Sequence, residues 1–316
     1  MSCHHAILNQ EALLHISGPD ALSFLQGQLS CDTRKLTPER ALPGLYCTVQ
    51  GRVVCDFLLC QLAESHFALR MRRSIRAVTA ELLGKYIIFS KAQLDGGPDN
   101  WQLLACWGTS AADVLREIFG AVPQARLETH SGDGFALVRL DDQGEQFECY
   151  LEAPAGSGLL AQIQAKTFPG TVSAWQALQI ASGIARIEAA TSGEFIPQVL
   201  NYDITGHISF NKGCYTGQEV VARMHYKGKP KRRLYPAKIH FADSADAPIP
   251  GAGEPLYLAD TERQAGQVVN CTRAAGDQLV ALVTATPEGA KSGLRLAGAA
   301  GAEVIILAPP YPMPER

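Results

Sequence analysis

The apolar residues fall into short runs punctuated by turn formers. Residues 12–16, ALLHI, predict a strand. Ser17-Gly18-Pro19-Asp20 then opens a helix, with an early proline and an acid near the first turn, and Leu22, Leu25 and Leu29 share one face of it. Apolar runs over 45–49, 53–62 and 66–71 predict three strands, with Gln50-Gly51 and Glu64-Ser65 at the turns. A helix over 74–84 and a strand over 86–94 close this stretch. A similar order returns: strand 101–107, helix 110–119, strands 135–140 and 146–152, helix 157–166. The pattern predicts an α+β fold with two related units, each a helix-backed antiparallel sheet. A further helix over 173–182, around Trp175, follows.

The texture changes after residue 240. FADSADAPIPGAG (241–253) reads as a linker or long turn. Short strands at 255–258, 265–271, 278–284 and 303–307 follow, with no convincing helix between them. They predict a small C-terminal β-barrel. A chain of 316 residues exceeds one comfortable core, which agrees with several domains.

Composition excludes more than it suggests. Lys and Arg number 28 against 31 Asp and Glu, so the net charge of −3 gives no global field for nucleic acid. Residues 1–11 lack the basic start and apolar core of a secretory leader. No apolar run reaches the ~20 residues that span a bilayer. The expectation is a soluble, cytoplasmic protein. The nine cysteines are odd in number, scattered, and without a CxxC pair, which argues against a disulfide framework or a zinc ribbon. Most lie in apolar runs and read as small buried hydrophobes, Cys47, Cys60, Cys106 and Cys149 above all.

Cys214 differs. It sits in Lys212-Gly213-Cys214-Tyr215-Thr216-Gly217-Gln218-Glu219, KGCYTGQE. Thr216 and Glu219 have capping-box spacing, and EVVARM continues as a short helix. The positive end of that helix and the nearby Lys212 would favour a thiolate. Gly213 and Gly217 would permit turns and close approach. A strand-to-helix turn with an inert, buried cysteine is the alternative reading of the same residues.

KGCYTGQE, with GEFIP (193–197), ISFNKGC (208–214), FLQGQLSCD (24–32), KYIIFSKA (85–92) and WQALQIASGI (175–184), closely resembles the YgfZ family, folate-binding relatives of the glycine-cleavage T-protein. The resemblance covers most of residues 12–235. It implies three domains in a ring around a folate channel: a folate-binding region over 1–235, made of two interleaved units (roughly 1–95 with 167–235, and 96–166), and a barrel over 236–316. It implies tetrahydrofolate or a derivative as cofactor. The implied role is accessory: support of iron–sulfur cluster proteins, including those that thiolate tRNA, without classical enzymatic turnover. Cys214 would be the reactive residue. Trp175, Lys212, Gly213, Tyr215, Gln218, Glu219 and Arg223 would contribute to the folate site.

Trp175 offers a flat face to a pterin, or else is a core tryptophan. Two features depart from the family. A second tryptophan of family members falls near Glu11 here. The paired aspartates of the T-protein relatives fall at Cys55 and Asp56, which weakens the rival reading, a folate-dependent aminomethyltransferase. Two basic clusters, Arg70/Arg72/Arg73/Arg76 and the run from Arg223 to Arg233, are either solvated faces or sites for an anionic folate tail, phosphate or RNA. A tRNA-binding module is the third class of function, supported only by these clusters. The histidines show no standard metal-ligand spacing: His4-His5 read as a disordered terminus, and His207 and His225 flank the motif.

Overall fold

A computed structural model describes residues 2–97, 100–241, 248–259, 261–296 and 301–314. The chain starts with β1 (His4–Ile7), β2 (Glu11–Ser17) and α1 (Ala21–Gln28). Then come β3 (Leu42–Cys47), β4 (Val53–Ala63), β5 (His66–Arg72), α2 (Arg73–Ile87) and β6 (Gln93–Asp95). The next stretch holds β7 (Trp101–Trp107), α3 (Ala111–Phe119), β8 (Thr129–Gly132), β9 (Phe135–Arg139), β10 (Gln146–Glu152), α4 (Ser157–Lys166) and β11 (Phe168–Pro169). Helices α5 (Val172–Ala181) and α6 (Gln218–Lys227) lead to β12 (Arg233–His240), β13 (Pro255–Leu258), β14 (Gln264–Arg273), β15 (Leu279–Ala285), α7 (Pro287–Ser292), β16 (Leu294–Leu296) and β17 (Glu303–Ile306).

The fold is α+β, as the pattern predicts. Strands order as β3-β4-β5-β2-β6 in one sheet and β11-β1-β7-β10-β9-β8 in a second, and β12-β15-β14-β13-β16-β17 close a barrel. By compactness the chain separates into two units. One holds Met1–Tyr46, Asp56–Trp175 and Asn211–Tyr215; the other holds Cys47–Cys55, Gln176–Phe210 and Thr216–Arg316. In the first unit, Leu104, Cys106, Leu137, Phe147 and Cys149 point from the second sheet onto Leu115 and Ile118 of α3 and Ile163 of α4. Alternation along β7 and β10 thus puts every second residue under the helices. In the second unit, Leu256, Val268, Leu279, Val283 and Val304 fill the barrel.

Several expectations change. Residues 86–94 are not one strand: α2 runs on to Ile87, and only Gln93–Asp95 pair with β2. The β-forming YIIF run finds no sheet to bury it, and Ile88 and Phe89 are exposed. His4 and His5 are ordered in β1, where they pair with Trp107 and Cys106 of β7. The C-terminal region does contain a helix, α7, whose Thr286 accepts from the Gly289 amide and whose Pro287 opens the first turn. Of the expected linker, residues 242–247 lie outside those described. Among the described residues no helix is long and apolar enough to cross a membrane.

Three arginines of the first basic cluster, Arg70, Arg72 and Arg76, are buried and Arg73 is exposed, and all four are engaged by carboxylates or backbone carbonyls. Arg70 Nε lies 2.8 Å from Glu148 Oε2, and Arg72 Nη1 lies 2.8 Å from Glu11 Oε1. Arg76 donates to the Leu13 carbonyl, and Arg73 to those of Asn9 and Glu11. Arg70 of the first sheet and Glu148 of the second are both almost completely buried, so an ion pair ties the two sheets together. Burial works against the Arg70 charge, but Glu148, Tyr150 and Glu11 more than offset it and hold the guanidinium firmly protonated.

Candidate functional site

The loop carrying the cysteine is built from two inward and two outward residues. Lys212 and Tyr215 are buried, whereas Gly213 and Cys214 are exposed. All nine cysteines lie among the described residues; seven are buried, Cys271 is half-buried, and Cys214 alone is exposed. The buried reading of Cys214 is therefore excluded.

Lys212 explains the shape of the loop. Its Nζ donates to the carbonyls of Gln26 at 2.7 Å, Leu29, and Cys31 at 3.0 Å. Gln26 belongs to the last turn of α1, whose final carbonyls lack partners within the helix, and an ammonium there also meets the negative end of the helix dipole. The same Nζ stands 5.1 Å from the centre of the Tyr215 ring. A cation over an aromatic face adds about 0.5–2 kcal/mol. Lys212 and Tyr215 thus fasten both flanks of the loop, and Cys214 is held between them at the surface. In this structure Lys212 anchors the loop through backbone carbonyls.

Burial pushes the Lys212 ammonium down to about 8, although Cys31 and Asp32 act in the opposite sense. An unfolded lysine keeps its proton to about 10.4. Between these values the unfolded chain binds more protons than the folded one, so this group adds stability as pH rises. The advantage of the native protein over Lys212→Met should therefore widen between pH 8 and pH 10. Denaturant unfolding of both proteins at several pH values checks it; a constant or shrinking gap contradicts it. Titration of the other buried groups is common to both proteins and cancels in the difference.

The two glycines of the motif differ. Gly213 has open space where a Cβ would stand, so neither close approach nor crowding requires glycine there. Gly217 is different: its φ is +82°, and a Cβ would come within 2.3 Å of the Thr48 carbonyl oxygen. The hairpin partner Gly51 has φ +70°, and a Cβ there would lie 2.9 Å from Val220 Cβ. This pair lets the β3–β4 turn approach the start of α6 within the second unit.

Gly217 is also the N-cap of α6, and no side chain caps the helix. The expected Thr216–Glu219 capping box does not form, because the helix starts one residue later, on a left-handed glycine. Glu219 stays in the first turn of α6, where an acid suits the helix dipole. Gln218 is half-buried at the helix start, and the exposed Glu219 and Arg223 lie one turn apart.

Trp175, expected to offer a face to a ligand, is 3% exposed. Its ring lies 5.8 Å from that of Trp107, tilted by 39°. Cys55 and Asp56 are both buried in β4. Of the second basic cluster, Arg233 is spoken for: Nη1 lies 2.7 Å from Asp203 Oδ1, with both side chains largely buried. Arg223, Lys227, Lys229 and Lys231 are exposed. His207 bonds Thr205 Oγ1 at 2.9 Å, and the His225 ring stacks on Phe210 at 3.7 Å. Sequence reasoning did not find the carbonyl cage of Lys212 or the Arg70–Glu148 pair. The second left one signal, a glutamate between Phe147 and Cys149 in the otherwise apolar middle of β10.

Comparison with known proteins agrees on one family. Residues 8–132 match the model of the GCVT N-terminal domain. The chain is 34% identical to the tRNA-modifying protein YgfZ of Klebsiella pneumoniae (strain 342) over 278 residues, 87% of this chain and 83% of that protein. It is 32% identical to the protein of the same name from Pectobacterium atrosepticum over 307 residues, 96% of this chain and 90% of that one. Among solved structures, the glycine cleavage system aminomethyltransferase T from Bartonella henselae superposes with a TM-score of 0.76 over 97% of this chain and 85% of its own, at 18% identity. That identity speaks for the fold only. The extent of the two sequence matches goes further, and on it the chain belongs to the YgfZ family.

Proposed function

We propose that the protein is a folate-binding accessory factor that supports the assembly or repair of iron–sulfur cluster enzymes, including ones that thiolate tRNA, with Cys214 as its reactive thiol. The observation that carries the reading is the loop Lys212–Tyr215: eight of the nine cysteines are at least partly withdrawn from solvent, and the remaining one is displayed on a fastened turn. An accessible thiol on a rigid support suits attack on, or capture of, a group offered by a partner. The relatives named tRNA-modifying protein support the link to tRNA. The aminomethyltransferase fold supports a reduced folate as the cofactor.

The same fold favours a second reading, transfer of an aminomethyl group to tetrahydrofolate. It needs a carboxylate to handle the proton at the folate amine. Cys55 is fully buried and cannot supply one, which leaves only Asp56 in that stretch. Titration of the purified protein with several reduced folates, followed by assay of the same samples for released one-carbon product, separates the readings. Saturable binding without product supports the accessory factor. Turnover supports the transferase, and no binding to any folate removes both.

The cations after α6, exposed Lys229 and Lys231 and half-buried Arg232, suit the acidic tail of a polyglutamyl folate. Changing Lys229, Lys231 and Arg232 to Gln should weaken a polyglutamylated folate more than the monoglutamate, because only the longer tail reaches these partly screened charges. Comparing the two affinities at one ionic strength checks this. An equal loss for both ligands, or none, makes the cluster a solvated face. Trp175→Ala, followed by folate affinity and thermal unfolding on one sample, distinguishes a ligand wall from a core residue.

A further inference from the structure

The first unit holds a cavity of about 780 Å³ that the folate reading does not use. Its chemistry comes from five strands or their ends. His15 of β2 pairs in register with Asp95 of β6. Trp101 of β7 pairs with Glu152 of β10. His66 begins β5, and its Nε2 lies 3.0 Å from His15 Nδ1. The His15 ring lies 6.1 Å from that of Trp101, tilted by 42°. Alternation in β2 explains why these polar groups face a cavity: Leu14 and Ile16 are buried, while His15 and Ser17 between and after them are half-buried.

The charge of the lining selects the ligand. Among the described residues that line it are two carboxylates, Asp95 and Glu152, and neither lysine nor arginine. Asp95 Oδ1 accepts from the Gly97 amide at 2.9 Å, and Asn100 Nδ2 reaches Glu152 Oε1 at 3.5 Å. A carboxylate offers about four acceptor positions, so each keeps capacity for a donor from a ligand. Burial pushes His66 down, although Glu152 acts against this, which favours a neutral imidazole. The walls are therefore rich in acceptors and hostile to anions. Among the described residues no group of three or more His, Cys, Asp or Glu could hold a metal ion. An organic cation remains, and an indole face attracts one.

We propose that this cavity binds a small aliphatic di- or polyamine. One ammonium sits at Asp95, on the His15 side, and another at Glu152, on the Trp101 side, with the methylene chain along the indole. The volume falls in the usual range for small-molecule pockets, about 300–1,000 Å³.

Calorimetric titration of the whole protein with spermidine tests it, with magnesium chloride and glutamate at matched ionic strength as controls. Spermidine should bind saturably, and neither control should. Asp95→Asn combined with Glu152→Gln should weaken spermidine at least tenfold. Asp95 is exposed and Glu152 half-buried, so the amides should leave thermal unfolding unchanged. Asp95→Asn alone should give an intermediate loss. No saturable binding up to about 10 mM spermidine, which corresponds to a free energy weaker than about 3 kcal/mol, overturns the proposal. So does undiminished affinity in the double variant, or equal binding of magnesium.

Discussion

Glu148→Gln should lower the free energy of unfolding by about 3–5 kcal/mol, the usual cost of removing one partner of a buried ion pair. The glutamine still accepts from Tyr150, whose hydroxyl donates to Glu148 Oε2 at 2.7 Å. What it cannot do is balance Arg70. Among the described residues the counter-charge left to that guanidinium would be Glu11, at 3.8 Å, and Glu11 already holds Arg72. The charge cannot leave by deprotonation, since arginine keeps its proton at any accessible pH. A second substitution tests the cause. Arg70→Met added to Glu148→Gln removes the orphaned charge and should recover at least half of the loss, because apolar replacement of a whole buried pair is often near neutral. Urea unfolding of the three proteins checks both statements. A double variant as unstable as the single one would make shape, not charge, the important feature of this contact.

The same pair marks where the sequence stops being legible. Local patterns suffice for elements whose burial is set by their own alternation, such as β7, β10, α3 and α4. They fail where a distant partner decides. β1 is HHAI, with little strand character of its own, and becomes a strand by pairing with β7 some hundred residues on. YIIF has strong strand character and becomes the end of a helix and an exposed turn, because no edge receives it. The arginines of 70–76 look like a surface cluster until Glu11 and Glu148 are placed beside them.

The candidate site divides in the same way. The motif itself was legible, and so was the expectation that most cysteines are buried. The direction of Lys212 was not: its acceptors lie 181 to 186 residues earlier in the chain. Proximity in sequence suggested that the lysine serves the thiol. The fold turns it to the end of α1, where three carbonyls converge. The capping box failed for a related reason. Thr216 and Glu219 have the right spacing, but the approach of the β3–β4 turn requires a left-handed Gly217, and that residue takes the cap position. Spacing reports which local bonds are available, and packing from a distant segment decides which are made.

Cys214→Ala should abolish support of iron–sulfur enzymes while leaving the fold intact. The stability half follows from exposure. Cys214 is exposed, its neighbour Gly213 has empty space around it, and the loop is fastened by Lys212 and Tyr215, not by the thiol. Surface substitutions away from caps and special backbone angles stay within about 0.5 kcal/mol. The melting temperature should therefore move by no more than about 1–2 °C. The functional half follows from chemistry. Alanine keeps the backbone of the loop and removes the one exposed thiol among the described residues. Serine at 214 should fail equally, since a hydroxyl is a far weaker nucleophile and a poor ligand for iron. The native protein should also consume one equivalent of a maleimide before unfolding, the alanine variant none, and both should react further once denatured, as the buried thiols are released. Activity of an iron–sulfur enzyme in cells that carry only the variant, measured beside thermal unfolding of the purified protein, decides the matter. Full activity with alanine removes Cys214 from the mechanism. A large fall in melting temperature would instead make the cysteine part of the structure of the loop, and the chemical role proposed for it would have to be given up.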